Sequence, residues 1–404
     1  MLVPKLRFPE FRDTGGWDST TFGTAATFIN GKAYKQEELL DQGKYRVLRV
    51  GNFFTNKEWY FSNLELEEDK YCDSGDLLYA WSASFGPRIW AGEKVIYHYH
   101  IWKVVVAKDI DKQFLFVLLG YETDRMKAKS ANGLGLLHIT KGAIESWECC
   151  IPKKKEQQKI ADCLSSIDDL IGAQSQKVEA LKTHKKGLMQ QLFPADGETI
   201  PRLRFPEFRD AGEWEKKPIG KISEIVTGNT PSTTVSEYYG GNRLFVSPAD
   251  MSEHRFIHRT KTTLTEQGYS KTRKIPADSV LFVCIGSTIG KIAQNKIDCA
   301  TNQQINAVIP FDNYSSGFIY YALDLNASKI AELAGKQAVP IINKSVFSTV
   351  VLSFPSFKEQ QKIADCLSCI DELISAQSQK LESLKIHKKG LMQALFPASR
   401  EACA

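Results

Sequence analysis

The chain has 404 residues, a formal net charge of +5, and 43% hydrophobic against 25% charged residues. This is the composition of a folded globular protein. At roughly 100–200 residues per domain it accommodates two or three domains, and no apolar run approaches the ~18–20 residues of a membrane span. The mildly basic balance permits an anionic partner without demanding one.

In chain order, the first feature is a short tag, Pro4-Lys5-Leu6-Arg7-Phe8-Pro9-Glu10-Phe11-Arg12-Asp13, followed by Trp17. No signal peptide opens the chain, because two prolines and several charges already fall within this stretch. Residues 18–150 read as mixed α/β, with strands expected at Tyr45–Val50 and Lys103–Ala107 and a helix over Phe114–Tyr121. A block from Lys155 to Pro194 follows. The tag then returns as Pro201 to Asp210, with Trp214 in the place of Trp17. A second α/β stretch, 215–354, carries predicted strands at Arg243–Ser247, Val280–Cys284 and Ala307–Pro310 and a helix over Gly317–Leu325. The long block then returns as Lys358 to Pro397, identical at 33 of 40 positions. Residues 18–150 and 215–354 show no defensible alignment with each other. Two tandem copies of one module, fixed at their ends and free inside, account for this order. The expected divisions are 1–152 (tag and first variable domain), 153–194 (helix), 195–355 (tag and second variable domain), 356–397 (helix) and a tail, 398–404.

Each long block predicts one helix. Ile160, Leu164, Ile167, Ile171, Gln174, Val178, Leu181, Lys185, Leu188 and Leu192 alternate four and three residues apart, as a heptad seam does. The second copy repeats it as Ile363, Leu367, Ile370, Ile374, Gln377, Leu381, Leu384, Lys388, Leu391 and Leu395. Pro152 and Pro355 precede the helices, and Pro194 and Pro397 follow them. A single apolar stripe needs a partner to cover it, and the other copy is the obvious one. Antiparallel pairing is favoured because it gives the chain a pseudo-two-fold axis. The fold expected is therefore α/β (mixed α+β): two globular domains joined by two long antiparallel coiled-coil helices. The polar seam residues Gln174, Gln377, Lys185 and Lys388 either fix the register or sit solvated at the seam edge.

Several apparent chemical motifs dissolve on inspection. Gly286-Ser287-Thr288-Ile289-Gly290-Lys291 lacks the spacing and the Ser/Thr of a phosphate loop and is better read as a turn. Cys366 and Cys369 lie within a helix, and the first copy has Ser166 in place of the second thiol, which argues against a metal or redox pair. His98 and His100 lie in an aromatic run and read as satisfied or surface histidines. No Asn-Pro-Pro-Tyr or Asp-Pro-Pro-Tyr is present to hold a target adenine, and no nuclease-like carboxylate cluster is evident.

At this level the chain resembles the specificity subunits of Type I restriction-modification enzymes. The resemblance is carried by the Leu-Arg-Phe-Pro-Glu-Phe tags, Gly75-Asp76-Leu77-Leu78-Tyr79-Ala80-Trp81-Ser82, the stretch His100 to Val106, Gly228-Asn229-Thr230-Pro231-Ser232, Glu237-Tyr238-Tyr239-Gly240-Gly241, Gly286 to Gly290, and Asn302-Gln303-Gln304. Most specific are the helix openings Glu156-Gln157-Gln158-Lys159-Ile160-Ala161 and Glu359-Gln360-Gln361-Lys362-Ile363-Ala364. The resemblance implies a non-catalytic, cytoplasmic protein of a bacterium or archaeon that binds double-stranded DNA. Each variable domain would read one half of a split site, and the helix pair would set the spacer and dock two methyltransferase subunits. It also implies restriction-translocase subunits as partners. S-adenosylmethionine, ATP and magnesium would belong to those partners, with no cofactor or metal in this chain. Residues suited to DNA contact are Lys32, Tyr34, Lys35, Arg49, Ser82 and Arg88 in the first region, and Thr230, Ser232, Tyr238, Arg243, Lys291 and Lys336 in the second. The competing expectation is a coiled-coil scaffold whose globular modules bind proteins.

Overall fold

Both long blocks form helices of 39 residues, Lys154–Leu192 and Phe357–Leu395, each about 58 Å long at 1.5 Å per residue. The computed structural model describes residues 2–54, 57–82, 85–130, 138–335 and 339–397. The chain divides into two units: residues 1–172 with 382–404, and residues 173–381. The division cuts through the helices, so each helix contributes a segment to both units.

In the first unit, Ile160 and Leu164 share a core with Leu395 and Phe396, and Leu391 and Met392 pack against it. Asp168 accepts from Lys388 Nζ at 2.6 and 2.7 Å. In the second unit, Ile363 and Leu367 share a core with Met189 and Leu192. Here Gln174 Nε2 donates to Oε1 and to the carbonyl of Gln377, both at 2.9 Å, and Lys185 Nζ meets Asp371 at 2.6 Å. Within each unit the partner numbers fall as the helix numbers rise, so the paired segments run in opposite directions. No predicted seam residue is exposed. The polar seam residues are engaged rather than solvated. Asp168 and Lys185 of the first helix correspond to Asp371 and Lys388 of the second, so one carboxylate–ammonium contact is built twice.

The tags explain why the helix openings repeat so closely. In the first unit the buried Arg7 guanidinium donates from Nε and Nη2 to Glu156 at 2.8 and 2.7 Å, and Trp17 Nε1 donates to the same carboxylate at 3.2 Å. In the second, Arg204 holds Glu359 through two bonds of 2.8 Å. Such fork-on-fork contacts fix orientation as well as distance. The next residue is a staple. Gln157 accepts from Asp111 N at 2.7 Å and donates to the carbonyl of Pro152 at 2.8 Å. Gln360 accepts from Ser315 N and donates to the carbonyl of Pro355, both at 3.0 Å. Asp111 and Ser315 in turn cap the first turn of Lys112–Ser130 and Ser316–Ala331. The tag, the long helix and the domain helix are thereby locked together in each unit.

The variable domains, unalignable in sequence, share one topology. The first has a four-stranded antiparallel sheet ordered Ala26–Asn30, Ile101–Val106, Leu77–Ala80, Gly86–Ile89. The second repeats this as Ser223–Thr227, Ile305–Pro310, Val280–Val283, Ile292–Asn295, and adds Phe256–Ile257 at the edge. Beside it in the first domain, Tyr45–Leu48 pairs antiparallel with Tyr60–Ser62 and parallel with Val95–Tyr97. In the second, Tyr239–Val246 pairs antiparallel with Thr262–Leu264 and parallel with Cys299–Thr301. Leu77 to Ala80 and Val280 to Val283 are buried throughout, which is why these stretches read as unbroken apolar runs.

The predicted elements occur with shifted ends. The strand expected from Arg243 begins at Tyr239, because a bulge between Tyr239 and Arg243 absorbs Gly240 at φ +84°. The helix expected over Phe114–Tyr121 extends from Lys112 to Ser130. Residues 286–291 form the turn between Val280–Val283 and Ile292–Asn295, with Gly286 and Gly290 both at positive φ (+92° and +95°).

Candidate nucleic-acid interface

In the first domain, the loop after Ala26–Asn30 and the turn between Val95–Tyr97 and Ile101–Val106 come together. A cavity of about 280 Å³ there is lined by Gln36, Leu39, Arg49, Tyr60, His98 and His100. Arg49 follows the strand Tyr45–Leu48, and its guanidinium lies over the Tyr60 ring at 4.8 Å. Among the described residues this guanidinium has no carboxylate or carbonyl partner, so its donors remain free for an external acceptor. The His98 and His100 rings are 4.8 Å apart, and Trp81 lies 4.9 Å from His100. The backbone N–H of His100 donates to His98 Nδ1 at 3.4 Å, which leaves the proton of the neutral ring on Nε2.

Burial, with His100 and Arg49 nearby, pushes the His98 pKa down to about 4. Burial followed by His138 and Arg49 lowers that of His100. Both rings are therefore neutral donors or acceptors at neutral pH. The stability consequence has a definite sign. The unfolded chain takes up this proton near pH 6.5, whereas the folded chain resists until about 4, so acidification through that window favours unfolding. Wild-type protein is expected to lose more of its urea midpoint between pH 7 and pH 5 than His98→Asn, which keeps an acceptor for the His100 N–H. Equal losses would show that His98 is not held neutral by the fold.

The other candidates in this domain separate into surface and interior. Lys35 and Arg88 are exposed, and Arg88 lies over Phe53 at 5.7 Å. Lys32 is paired with Glu38 at 3.2 Å. Ser82 and the Tyr34 hydroxyl lie in the interior. Ser82 is buried and bridges to His138. Tyr34 stacks on His98 with its hydroxyl buried and without a hydrogen-bond partner, and burial raises its pKa.

In the second domain, Thr230 Oγ1 donates to Gln303 Oε1 at 2.8 Å, bringing two sequence motifs together. Ser232 is exposed beside Thr234, and Tyr238 is half-buried. The charge of Arg243 is answered by Glu266 at 2.7 Å, and Lys291 Nζ reaches the carbonyls of Pro248 and Met251 at 3.3 and 3.5 Å, so both are engaged internally. Lys336 lies outside the described residues. His98 and His100, which sequence reads as satisfied or surface histidines, line this cavity; paired histidines in an aromatic run carry no DNA signature. The available signal was their position, immediately before a strand, as for Asn302-Gln303-Gln304. Among the described residues no group of three or more His, Cys, Asp or Glu is placed to hold a metal ion, and no helix is long and apolar enough to cross a membrane.

The fold is thus a duplicated module: one tag, one mixed-sheet domain and segments of two long helices in each unit, with polar turns gathered at one edge of each domain. The family model of the Type I restriction modification DNA specificity domain matches this chain twice, over residues 15–183 and 211–385. The chain belongs to that family, with one specificity domain in each half.

It is 24% identical over 410 residues to the Type I restriction enzyme MjaVIII specificity subunit of Methanocaldococcus jannaschii, covering 97% of this chain and 93% of that one. It is 31% identical over 179 residues to the MjaIX specificity subunit of the same organism. That match spans 43% of this chain and only 41% of the relative's length. Among solved structures, the S subunit of a Type-I restriction-modification system from M. genitalium superposes with a TM-score of 0.63 at 16% identity, over 98% of this chain and all of that one. The alternative of a protein-binding scaffold gains no support from these relatives.

Proposed function

We propose that each half of this chain reads one part of a bipartite DNA site, and that the helix pair, running antiparallel with pseudo-two-fold symmetry, sets the interval between the parts. The observation that carries this reading is the combination of one repeated frame with two unlike polar edges: closely matching tags, clamps and helices hold domains whose edge residues differ. A symmetric frame with dissimilar readers calls for an asymmetric site, with half-sites about one helical turn apart if read from the same face of the duplex.

Chemistry is assigned to partners. Two methyltransferase subunits using S-adenosylmethionine would dock on the helices, and restriction-translocase subunits using ATP and magnesium would join them. This chain would contribute recognition alone, in the bacterial or archaeal cytoplasm. The test is a genome-wide map of methylated adenine with the gene intact and deleted. A split motif with two unlike halves, lost on deletion, is expected. A motif that survives deletion, or one that is continuous and palindromic, contradicts the reading.

A further inference from the structure

The two domains agree in more than strand order around one three-residue turn. In the first domain His98 N donates to Leu48 O at 3.0 Å, Ile101 N to His98 O at 2.9 Å, Gly31 N to Ile101 O at 3.2 Å and Trp81 N to His100 O at 3.1 Å. In the second, Asn302 N donates to Val246 O at 3.0 Å, Ile305 N to Asn302 O at 3.3 Å, Gly228 N to Ile305 O at 3.0 Å and Cys284 N to Gln304 O at 2.7 Å. Even the side-chain bond inside the turn is repeated: His100 N donates to His98 Nδ1, and Gln304 N to Asn302 Oδ1 at 3.1 Å. Gly31 and Gly228 match as well, since a Cβ on either would collide with a carbonyl of the opposing strand, that of Tyr97 or of Thr301.

His98-Tyr99-His100 and Asn302-Gln303-Gln304 are therefore the same element of the fold with different side chains. Arg49, one residue beyond Leu48, corresponds to Ser247, one beyond Val246. The first residue of each turn is consumed by holding the turn. In the second domain Ser247 is also consumed, donating to Asp250 at 2.6 Å. What each frame leaves free differs. The first leaves the Arg49 guanidinium, backed by Tyr60, in the cavity it shares with His98 and His100. The second leaves exposed Gln303, whose Oε1 is oriented by Thr230 and whose Nε2 has no hydrogen-bond partner among the described residues.

From this correspondence we infer that the turn and the position after the neighbouring strand are the specificity-determining element of each domain, with Arg49 reading a guanine in one half-site and Gln303 an adenine in the other. A guanidinium offers two parallel donors to O6 and N7 of guanine. A carboxamide offers one donor and one acceptor to N7 and N6 of adenine. Support of Arg49 by Tyr60 and of Gln303 by Thr230 holds these planes ready, as bidentate recognition requires.

The inference rests on the proposed reading of bipartite DNA, and the test separates the two. The full chain, in complex with its methyltransferase subunits, is assayed on a randomised duplex library by sequencing the methylated products. Arg49→Met is expected to relax one guanine position of one half-site at least tenfold and to leave the other half-site intact. Gln303→Met is expected to do the same to one adenine position of the opposite half-site. Unchanged preferences in both variants overturn the inference while leaving the bipartite reading standing. So does a uniform loss of methylation with preferences retained, which is the mark of a phosphate contact. Should Arg49→Met fail to fold, Arg49→Lys, which keeps the charge but loses the planar fork, must still relax the guanine position. A wild-type complex without a split motif overturns the underlying reading itself.

Discussion

Removing Glu359 is expected to destabilise the second unit by on the order of 3–5 kcal/mol, because it strands a buried guanidinium. The Arg204 and Glu359 side chains are 7% and 1% exposed, and the pair is held by two bonds of 2.8 Å. Without the carboxylate, Arg204 keeps only the carbonyls of Ala211 and Gly212 and must remain buried unpaired or pull the tag off the helix. Arg7 and Glu156 form the same contact in the first unit, with the indole N–H of Trp17 added. Thermal unfolding of Glu359→Ala is the measurement, and a fall of roughly 6–20 °C corresponds to the free energy stated for a unit of this size. The double change Arg204→Met with Glu359→Leu should restore most of the loss, since an apolar pair of similar volume removes both charges together. A single variant as stable as the wild type would mean that the tag is not clamped.

Lengthening both long helices by one heptad at matching positions, after Gly172 and after Ser375, is expected to lengthen the spacer of the recognised site without altering either half-site. A heptad preserves the alternation of four and three, so the apolar seam continues through the insertion. The ion pairs Asp168 with Lys388 and Lys185 with Asp371 lie outside the inserted turns and keep their partners, whereas Gln174 and Gln377, between the two insertions, are drawn apart. Seven residues add about 10 Å of helix, equivalent to about three base pairs at the ~3.4 Å rise of one strand.

How much of this was legible in the sequence depends on where each feature stores its information. The frame was legible because side-chain identity carries it: Arg7 returns as Arg204, Glu156 as Glu359 and Gln157 as Gln360, because the same fork and staple are built in both units. The seam was legible from spacing alone. The role of Lys185 and Lys388 was not, because their partners Asp371 and Asp168 belong to the opposite helix and lie off the apolar stripe. The kinship of the two variable domains was invisible because it resides in backbone hydrogen bonds. Leu48 and Val246, Tyr97 and Thr301, Trp81 and Cys284 occupy matching places, and a strand demands only a fitting side chain there. The contact residues were the least legible. Lys291 and Arg243 have the right chemistry, but only tertiary structure tells a free donor from one already engaged. Arg49 is one of six candidates in the first region on sequence alone, and only its neighbours set it apart; Gln303 stands out only once Thr230 is seen to hold it.

The spacer of the heptad-extended chain is the most direct test of the account. Methylated motifs are mapped for the wild-type and extended chains, each in complex with the same methyltransferase subunits. Two unchanged half-sites separated by a longer gap are the predicted result. Continued methylation of the original motif, at its original spacing, would contradict a helix frame that holds two independent readers a set distance apart.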